Sequence, residues 1–160
     1  MATANLLPVI GKPAPDFSLP STSGEAVSLK QYKNKKTVVL YFYPKDETPG
    51  CTKEACGFRD LREDFEKNGA VILGVSNDPL DAHAKFREKH KLPFDLLADE
   101  DAAVSKAYGV YKQKNLYGKK YLGIERTTFI IDRTGRVAQI YPKVKVEGHV
   151  QDVLEFIGED

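Results

Sequence analysis

Several features that would indicate other classes of protein are missing from this sequence. Its 160 residues contain no apolar run of about 18 residues, the length that a membrane-spanning helix needs. The 24 basic and 23 acidic residues are mixed along the chain, which argues against a dedicated nucleic-acid surface. Repeats and low-complexity tracts are also absent. We therefore expect neither nucleic-acid nor membrane partners.

The N-terminal segment does not have the pattern of a secretion signal. Residues 1–10 lack a basic start, and Pro8 interrupts their apolar stretch. We therefore expect a cytoplasmic protein. With 41% hydrophobic residues, a chain of this length can bury a full core, so residues 1–160 are expected to form one domain without a stabilising disulfide.

Cysteine is scarce, because Cys51 and Cys56 are the only two in the chain. In a reducing compartment such a pair serves metal binding or redox chemistry, or is simply buried as packing. His83 and His90 lie on a charged helical segment without a carboxylate or thiolate at ligand spacing, so we interpret them as solvated. We expect neither a metal nor a cofactor.

The hydrophobic pattern predicts an α/β fold with a mixed central sheet covered by helices on both faces. Strands are predicted at 37–43, 70–76, 94–97, 127–131 and 137–141, the last two as a hairpin, and short strands at 16–19 and 26–28 as an N-terminal hairpin. Helices are predicted from Gly50 to about 68, from 78 to 90, at 102–108 and at 148–157.

Two further groups of residues are interpreted as structural. The segment 110–123 is polar and punctuated by glycine, which predicts a long surface loop. His149 is expected near a helix start. Tyrosines in and beside the loop are expected to anchor it, with a docking or substrate surface as the alternative: Tyr108, Tyr111, Tyr117 and Tyr121.

Cys51 follows a strand and a tight loop, which places it in the first turn of a helix at the carboxyl end of a central strand. Ligands bind at that edge of open α/β sheets. The unpaired amides of the first turn and the positive end of the helix dipole favour a thiolate there. On a helical projection Cys51 lies about 20° from Phe58, whereas Cys56 lies roughly 160° from it. Cys51 should face inward and Cys56 outward.

The spacing of the two cysteines is too long for a disulfide within an intact helix. Residues i and i+5 have Cα atoms about 8.6 Å apart on an ideal helix, and bridged cysteines need about 7 Å or less. Gly57 lowers the helix propensity beside Cys56 by about 1 kcal/mol relative to alanine. A disulfide between the cysteines therefore requires the helix to open.

The residues around Cys51 carry a resemblance to a known family. The pattern Pro44-x-x-x-Thr48-x-x-Cys51, with Glu54 three residues later and a distant Arg126 before a strand, resembles the active-site signature of the peroxiredoxins. The sequences Tyr-Phe-Tyr-Pro and Thr-Pro-Gly-Cys-Thr and the second cysteine five residues on are similar to the Q-type, or bacterioferritin-comigratory, group. The similarity runs from about residue 11 to the end and includes 143–149.

The resemblance implies a thioredoxin-like fold and a thiol peroxidase acting on hydrogen peroxide and organic hydroperoxides. It implies that Cys51 is the peroxidatic residue and becomes a sulfenic acid. Cys56 would be the resolving residue, forming an intramolecular disulfide that thioredoxin or a similar thiol reductant reduces. A monomer or weak dimer is expected.

The resemblance also implies roles for the neighbours of Cys51. Thr48 would hydrogen-bond the peroxide, and Pro44 would shield the sulfur from water. Arg126 would stabilise the thiolate and the negative charge that develops in the reaction. Glu54 matches a position that orients the arginine.

Two other functions remain open from the residues alone. A thioredoxin-like disulfide oxidoreductase usually carries C-x-x-C and a proline before the strand that begins here at Thr127, but this chain has C-x4-C and Glu125-Arg126. A redox sensor would use the same reactive thiol as a peroxidase. The rate of Cys51 oxidation separates the sensor from the enzyme.

Overall fold

Nine strands and five helices form residues 7–158, the part of the chain that the computed structural model describes. Most of the N-terminal segment that lacks a secretion-signal pattern, residues 1–6, lies outside the described residues. The strands are β1 (Ser18–Leu19), β2 (Val27–Ser28), β3 (Thr37–Phe42), β4 (Ala70–Ser76), β5 (Asp95–Ala98), β6 (Tyr111–Leu116), β7 (Lys119–Ile124), β8 (Thr127–Ile131) and β9 (Val137–Tyr141). The helices are α1 (Pro49–Asp60), α2 (Arg62–Lys67), α3 (Leu80–His90), α4 (Ala103–Ala107) and α5 (His149–Gly158).

A mixed five-stranded sheet forms the centre, in the order β5-β4-β3-β8-β9. Strand β3 pairs with β4 in parallel and with β8 in antiparallel orientation, and β8 and β9 form the predicted hairpin. Strand β3 lies between β4 and β8, and its last residue, Phe42, pairs with Thr127, the first residue of β8. The loop that follows β3 therefore begins beside the start of β8. The sheet thereby brings two distant parts of the sequence to one edge.

Both faces of β3 are buried, as its unbroken apolar pattern predicts. Val39 and Tyr41 point into a core cluster shared with α1, α2 and α5, whereas Leu40 and Phe42 point into a second cluster with β8 and the N-terminal segment. At ~25 cal/mol per Å² of buried apolar area, these two layers supply most of the stabilisation of the fold. The first cluster also contains Cys51.

The predicted surface loop at 110–123 is wrong, because this segment folds into the antiparallel hairpin of β6 and β7. Most of its side chains are exposed on both faces, so no alternation of apolar and polar residues marks the strands in the sequence. The turn is made by Tyr117 and Gly118, both with positive φ. Tyr108 is a buried core residue, whereas Tyr117 is 97% exposed and anchors nothing in the described structure.

The single helix predicted from Gly50 to about 68 is interrupted at Leu61. This residue has φ −106° and ψ 11°, and it separates α1 from α2. Phe58 and Phe65 lie on either side of the break, yet both are fully buried with ring centroids 5.7 Å apart. The seven-residue spacing is kept across the break, so periodicity alone does not reveal it.

The remaining predicted elements are present with small shifts at their ends. The N-terminal hairpin pairs only Ser18–Leu19 with Val27–Ser28, and α3 begins at Leu80 after the proline. His149 begins α5, as expected. Within residues 7–158, no helix combines the length and the apolar character that crossing a bilayer requires.

Candidate active site

Cys51 lies in the first turn of α1, below the carboxyl end of β3. Thr48 is the N-cap residue, and Pro49 begins the helix with a φ that suits its first position. Cys51 is 1% exposed and packs in the same cluster as Phe58, whereas Cys56 is partly exposed. The predicted inward and outward orientations are confirmed. Both cysteines are free thiols in this structure.

The guanidinium of Arg126 contacts the sulfur of Cys51. Arg126 Nη2 donates to Cys51 Sγ at 3.3 Å, and Arg126 precedes β8, the neighbour of β3 in the sheet. Gly50 leaves room for this approach, because a Cβ at this position would lie 3.1 Å from Arg126 Nη2 and would crowd the guanidinium. A positively charged donor therefore lies at hydrogen-bond distance from the sulfur.

Glu54 holds the other side of the same guanidinium. Arg126 Nη1 donates to Glu54 Oε1 at 2.6 Å, and the Glu54 side chain is completely buried. Burial raises the pKa of Glu54 from 4.5 to about 7, although the charge and hydrogen bond of Arg126 act in the opposite direction. Arg126 thus bridges a buried carboxyl group and the cysteine sulfur, so its position depends on both.

The second oxygen of Glu54 lacks a hydrogen-bond partner among the described residues. His149 Nε2 lies 3.9 Å from this oxygen and 2.8 Å from the hydroxyl of Thr128. Burial lowers the pKa of His149 from 6.5 to about 4, so the imidazole is neutral near pH 7. The buried end of the site therefore combines an unsatisfied carboxyl oxygen with a neutral histidine.

Thr48 and Pro44 lie on the loop between β3 and α1, and both are partly buried. The Thr48 hydroxyl donates to the carbonyl of Lys45 at 2.9 Å, and its side chain does not cap the helix. The hydroxyl oxygen keeps free lone pairs, and a rotated hydroxyl can donate elsewhere. Pro44 directly follows the buried Tyr43, just after the end of β3, and its own side chain is partly buried.

A second cluster of buried polar side chains fixes this loop. Asp46 Oδ1 accepts from the Tyr43 hydroxyl at 2.6 Å, and Asp46 Oδ2 lies 2.7 Å from His83 Nδ1. The Asp46 amide donates to Asp78 Oδ2 at 2.8 Å. His83 Nε2 also lies 2.9 Å from the carbonyl oxygen of Leu97. The loop that carries Pro44 and Thr48 is thereby tied to β5 and α3.

The interpretation of His83 as a solvated residue is wrong, because its side chain is completely buried. Its spacing three residues before Phe86, which is also buried, was the available signal, since such residues share a helix face. His90, also interpreted as solvated, is mostly buried, with 20% of its side chain exposed. Asp46, Asp78 and His83 lie close enough together for a metal ion, but their mutual hydrogen bonds account for the cluster without one.

Comparisons with known proteins agree with this geometry. Residues 10–140 match the model of the AhpC/TSA family. A putative peroxiredoxin Bcp of Coxiella burnetii is 56% identical over 91% of this chain and 95% of the relative. The chain belongs to the AhpC/TSA family of peroxiredoxins. Peroxiredoxin Bcp of Bacillus subtilis is 53% identical over 91% of this chain and 92% of its own length.

Solved structures of peroxiredoxins share the whole fold. Peroxiredoxin Q of Xanthomonas campestris superposes with a TM-score of 0.87 at 42% identity, covering 94% of this chain and 97% of that one. The predicted thioredoxin-like α/β fold and the resemblance to the Q-type group are confirmed. This peroxiredoxin is therefore an enzyme of a peroxidase family, with a peroxide as substrate and a thiol as reductant.

Of the six predicted site residues, three are in direct contact. Cys51, Glu54 and Arg126 form one hydrogen-bonded chain, and Thr48 and Pro44 lie on the loop that leads from β3 into α1. Cys56 lies on the opposite face of α1, in a groove that also contains Lys53, Asp60, Val146 and Val150. In this structure the site therefore contains Cys51 in contact with Arg126, and Cys56 lies outside the site.

Proposed function

We propose that Cys51 is the peroxidatic cysteine of a thiol peroxidase that reduces hydrogen peroxide and organic hydroperoxides. The observation that carries this proposal is the donor at 3.3 Å from the sulfur, Arg126 Nη2, on a guanidinium held by buried Glu54. Thr48 binds the peroxide and Pro44 excludes water from the sulfur. Glu54 positions the arginine. The related bacterioferritin comigratory protein of Xanthomonas campestris has an alkyl peroxide reduction activity, which supports the proposed substrates.

In the first step the Cys51 thiolate attacks the terminal oxygen of the hydroperoxide. A sulfur–oxygen bond forms, the oxygen–oxygen bond breaks, and its electron pair leaves on the alkoxide or hydroxide, which takes up a proton. Cys51 becomes a sulfenic acid. Arg126 faces the negative charge on the reacting oxygens, and a donor fixed in this position lowers the barrier by electrostatic stabilisation.

In the second step the Cys56 thiolate attacks the sulfur of the sulfenic acid: a sulfur–sulfur bond forms, the sulfur–oxygen bond breaks, and the hydroxide takes up a proton and leaves as water. The resulting disulfide is reduced by a thioredoxin-type dithiol, which is itself oxidised. Ideal helix geometry separates the two Cα atoms by about 8.6 Å, beyond the reach of a disulfide, so the start of α1 opens between the two steps. Opening also breaks the contact of Glu54 with Arg126, because Glu54 lies between the cysteines.

Trapping the first intermediate tests the assignment of the two cysteines. Cys56→Ser treated with one equivalent of hydrogen peroxide and a sulfenic-acid probe should carry the probe on Cys51 by mass spectrometry. Cys51→Ser is the matched variant and should carry none. The wild type should instead form an intramolecular disulfide. Label on Cys56 in Cys51→Ser, or none on Cys51 in Cys56→Ser, would refute the assignment.

Hydrogen exchange tests the opening of the helix. The amides of residues 51–59 should be protected in the reduced protein and exchange freely in the disulfide form. Amides of β4, which does not carry a cysteine, provide the internal control. Equal protection of residues 51–59 in both redox states would contradict the opening step.

The same proposal includes the setting in which the enzyme works. It acts as one domain over residues 1–160 in the cytoplasm, as a monomer or weak dimer, without nucleic-acid or membrane partners. Its chemistry needs only the two thiols and the groups around them, so neither a cofactor nor a metal enters the cycle. The mixed charge of the sequence supports this setting.

A further inference from the structure

The β6–β7 hairpin exposes an unusual concentration of apolar side chains. Among residues 7–158, all the exposed large hydrophobic residues outside the segment 7–10 lie on this hairpin. They are Leu116, Tyr117, Tyr121 and Leu122, and they are interspersed with four lysines, Lys112, Lys114, Lys119 and Lys120. We call these eight residues the hairpin surface. Such a patch is typical of an interaction site.

The residue at the tip of the hairpin does not suit its backbone position. Tyr117 has φ 52° and Gly118 has φ 80°, the signs that a two-residue turn with both central residues left-handed requires. Asparagine is the usual first residue of such a turn, and a bulky side chain there costs about 1 kcal/mol. Burial does not offset this cost, since Tyr117 is 97% exposed. An external contact would explain the tyrosine.

The charge of the hairpin surface is one-sided. Lys112 pairs with Glu125 at 3.1 Å, but Lys119 and Lys120 do not form ion pairs with any described residue. An acidic surface would therefore be attracted to the tip, whereas a second copy of the same hairpin surface would be repelled. Lysine and tyrosine side chains also present apolar stems and rings beside their polar ends, so one partner face can contact both.

The hairpin surface borders the active site. Glu125, the partner of Lys112, directly precedes Arg126. Burial and then the charge of Arg126 lower the pKa of Lys114, and the nearby Cys51 acts in the opposite direction. The ammonium of Lys114 is thus within electrostatic range of both site residues. A protein seated on the hairpin would reach the opened start of α1.

We propose that the hairpin surface docks the protein reductant that regenerates Cys51, and that the contact face of this reductant is acidic with apolar residues. The inference rests on the proposed function, because it requires a Cys51–Cys56 disulfide as the bond to be reduced. A reductant thiolate attacks one sulfur of that disulfide, and the other leaves as a thiolate. The second reductant thiol then releases the enzyme, so two electrons pass to the cysteines and the reductant becomes a disulfide.

The experiment compares a protein reductant with a small one on the pre-formed disulfide. The protein reductant is a thioredoxin of negative net charge, and the small one is dithiothreitol. The test variant is Lys119→Glu/Lys120→Glu. The matched control is Lys35→Glu/Lys36→Glu, which changes two exposed lysines just before the first residue of β3, at the end of the strand away from Cys51. Stopped-flow measurements give the rate of disulfide loss at low and high salt.

At low salt, the test variant should react roughly tenfold more slowly with thioredoxin than the control variant does, because electrostatic steering is reversed. The difference should shrink at high salt, where charges are screened. Dithiothreitol should reduce both variants equally fast. Tyr117→Ser should slow thioredoxin without changing the salt dependence, which separates the apolar from the charged contribution.

Several results would overturn the docking proposal. Equal thioredoxin rates for the test and control variants would exclude the hairpin surface as the docking site. Binding to anionic phospholipid vesicles that is lost in the test variant, with its thioredoxin rate unchanged, would assign the surface to lipid instead. If peroxide forms no Cys51–Cys56 disulfide in the wild type, the proposed function fails, and docking fails with it. If the disulfide forms but thioredoxin reduces the test and control variants at equal rates, the docking proposal fails and the proposed function stands.

Discussion

Two clusters of buried polar side chains lie near the start of α1, and they differ in how many of their polar atoms have hydrogen-bond partners. The loop-anchor cluster consists of Tyr43, Asp46, Asp78 and His83, and the active-site cluster of Cys51, Glu54, Arg126 and His149. Both oxygens of the Asp46 carboxylate and both nitrogens of His83 have partners. In the active-site cluster, Glu54 Oε2 has none among the described residues.

The difference separates a fixed part of the site from a part built to change. A saturated buried network is costly to disturb, because every lost partner leaves a desolvated group. The loop-anchor cluster therefore holds the loop with Pro44 and Thr48 in place. The active-site cluster keeps an unsatisfied carboxyl oxygen, so less would be lost in the proposed opening of α1, when Glu54 would meet water. Four substitutions test this comparison.

The largest effect is expected from His83→Ala. Its ring nitrogens lie 2.7 Å from Asp46 Oδ2 and 2.9 Å from the Leu97 carbonyl oxygen, so alanine would leave two buried oxygens without this partner. Removing one partner of a buried pair costs about 3–5 kcal/mol. Urea unfolding of the reduced protein should show this loss. His90→Ala on the same helix, with a partly exposed side chain, should cost less than half as much. Equal losses would mean that the loop-anchor cluster is not a fixed element.

Arg126→Ala should slow the oxidation of Cys51 by peroxide roughly 100-fold or more, since one positioned donor in an active site contributes about that much. The rate is measured by stopped-flow on reduced protein that circular dichroism shows to be folded. Arg133→Ala, at the other end of β8 and exposed, is the matched control and should react like the wild type. An unchanged rate in Arg126→Ala would favour the sensor over the peroxidase.

The two titratable groups of the active-site cluster should oppose each other in the pH dependence of stability. The pKa of Glu54 is about 7 when folded against 4.5, so raising the pH through this window lowers the free energy of unfolding. The pKa of His149 is about 4 when folded against 6.5, so raising the pH between these values increases it. Each effect levels off above the upper value of its window.

Glu54→Gln removes only the first of these contributions. Between pH 4.5 and 6.5 the free energy of unfolding of this variant should rise with pH more steeply than that of the wild type, by about 2 kcal/mol over the window. Urea unfolding at four pH values measures the two slopes. Glu63→Gln, an exposed residue of α2, should run parallel to the wild type. A parallel course for Glu54→Gln would mean that Glu54 is ionised throughout.

The smallest effect is expected from Tyr43→Phe, which removes a hydroxyl that donates to Asp46 at 2.6 Å and lies 3.4 Å from His83 Nδ1, and which leaves the contact between Asp46 and His83 in place. The free energy of unfolding should fall by about 1 kcal/mol. Thr128→Val removes the corresponding single bond to His149 in the active-site cluster. If Tyr43→Phe alone costs as much as His83→Ala, the cluster acts as one cooperative unit.

Sequence patterns predicted the parts of this structure that depend on local spacing. The central strands, the β8–β9 hairpin and the opposite orientations of Cys51 and Cys56 follow from periods of two and 3.6 residues. The position of Arg126 beside Cys51 does not follow from any period. It came from the family pattern, and in physical terms it depends on the pairing of β3 with β8, a long-range contact.

The wrong predictions from the sequence share a physical cause. The β6–β7 hairpin is exposed on both faces, so burial leaves no alternation in its sequence. His83 is buried because Asp46, 37 residues away, satisfies it, and a polar residue with a distant partner looks solvated in the sequence. Leu61 interrupts the helix while keeping Phe58 and Phe65 in register. In none of these cases does the local pattern of apolar and polar residues determine the structure.

The break at Leu61 limits how much of the chain has to refold in each catalytic cycle. In the proposed cycle it divides the chain after Cys51 into a length that opens, α1, and a length that the buried Phe65 keeps in place, α2. Ordering a residue costs about 1–2 kcal/mol of entropy, so a short released length keeps the free-energy cost of returning to the reduced form small. Because α2 remains in place, α1 refolds against a surface that never came apart. Each turnover then disturbs a few turns of helix and leaves the rest of the domain folded.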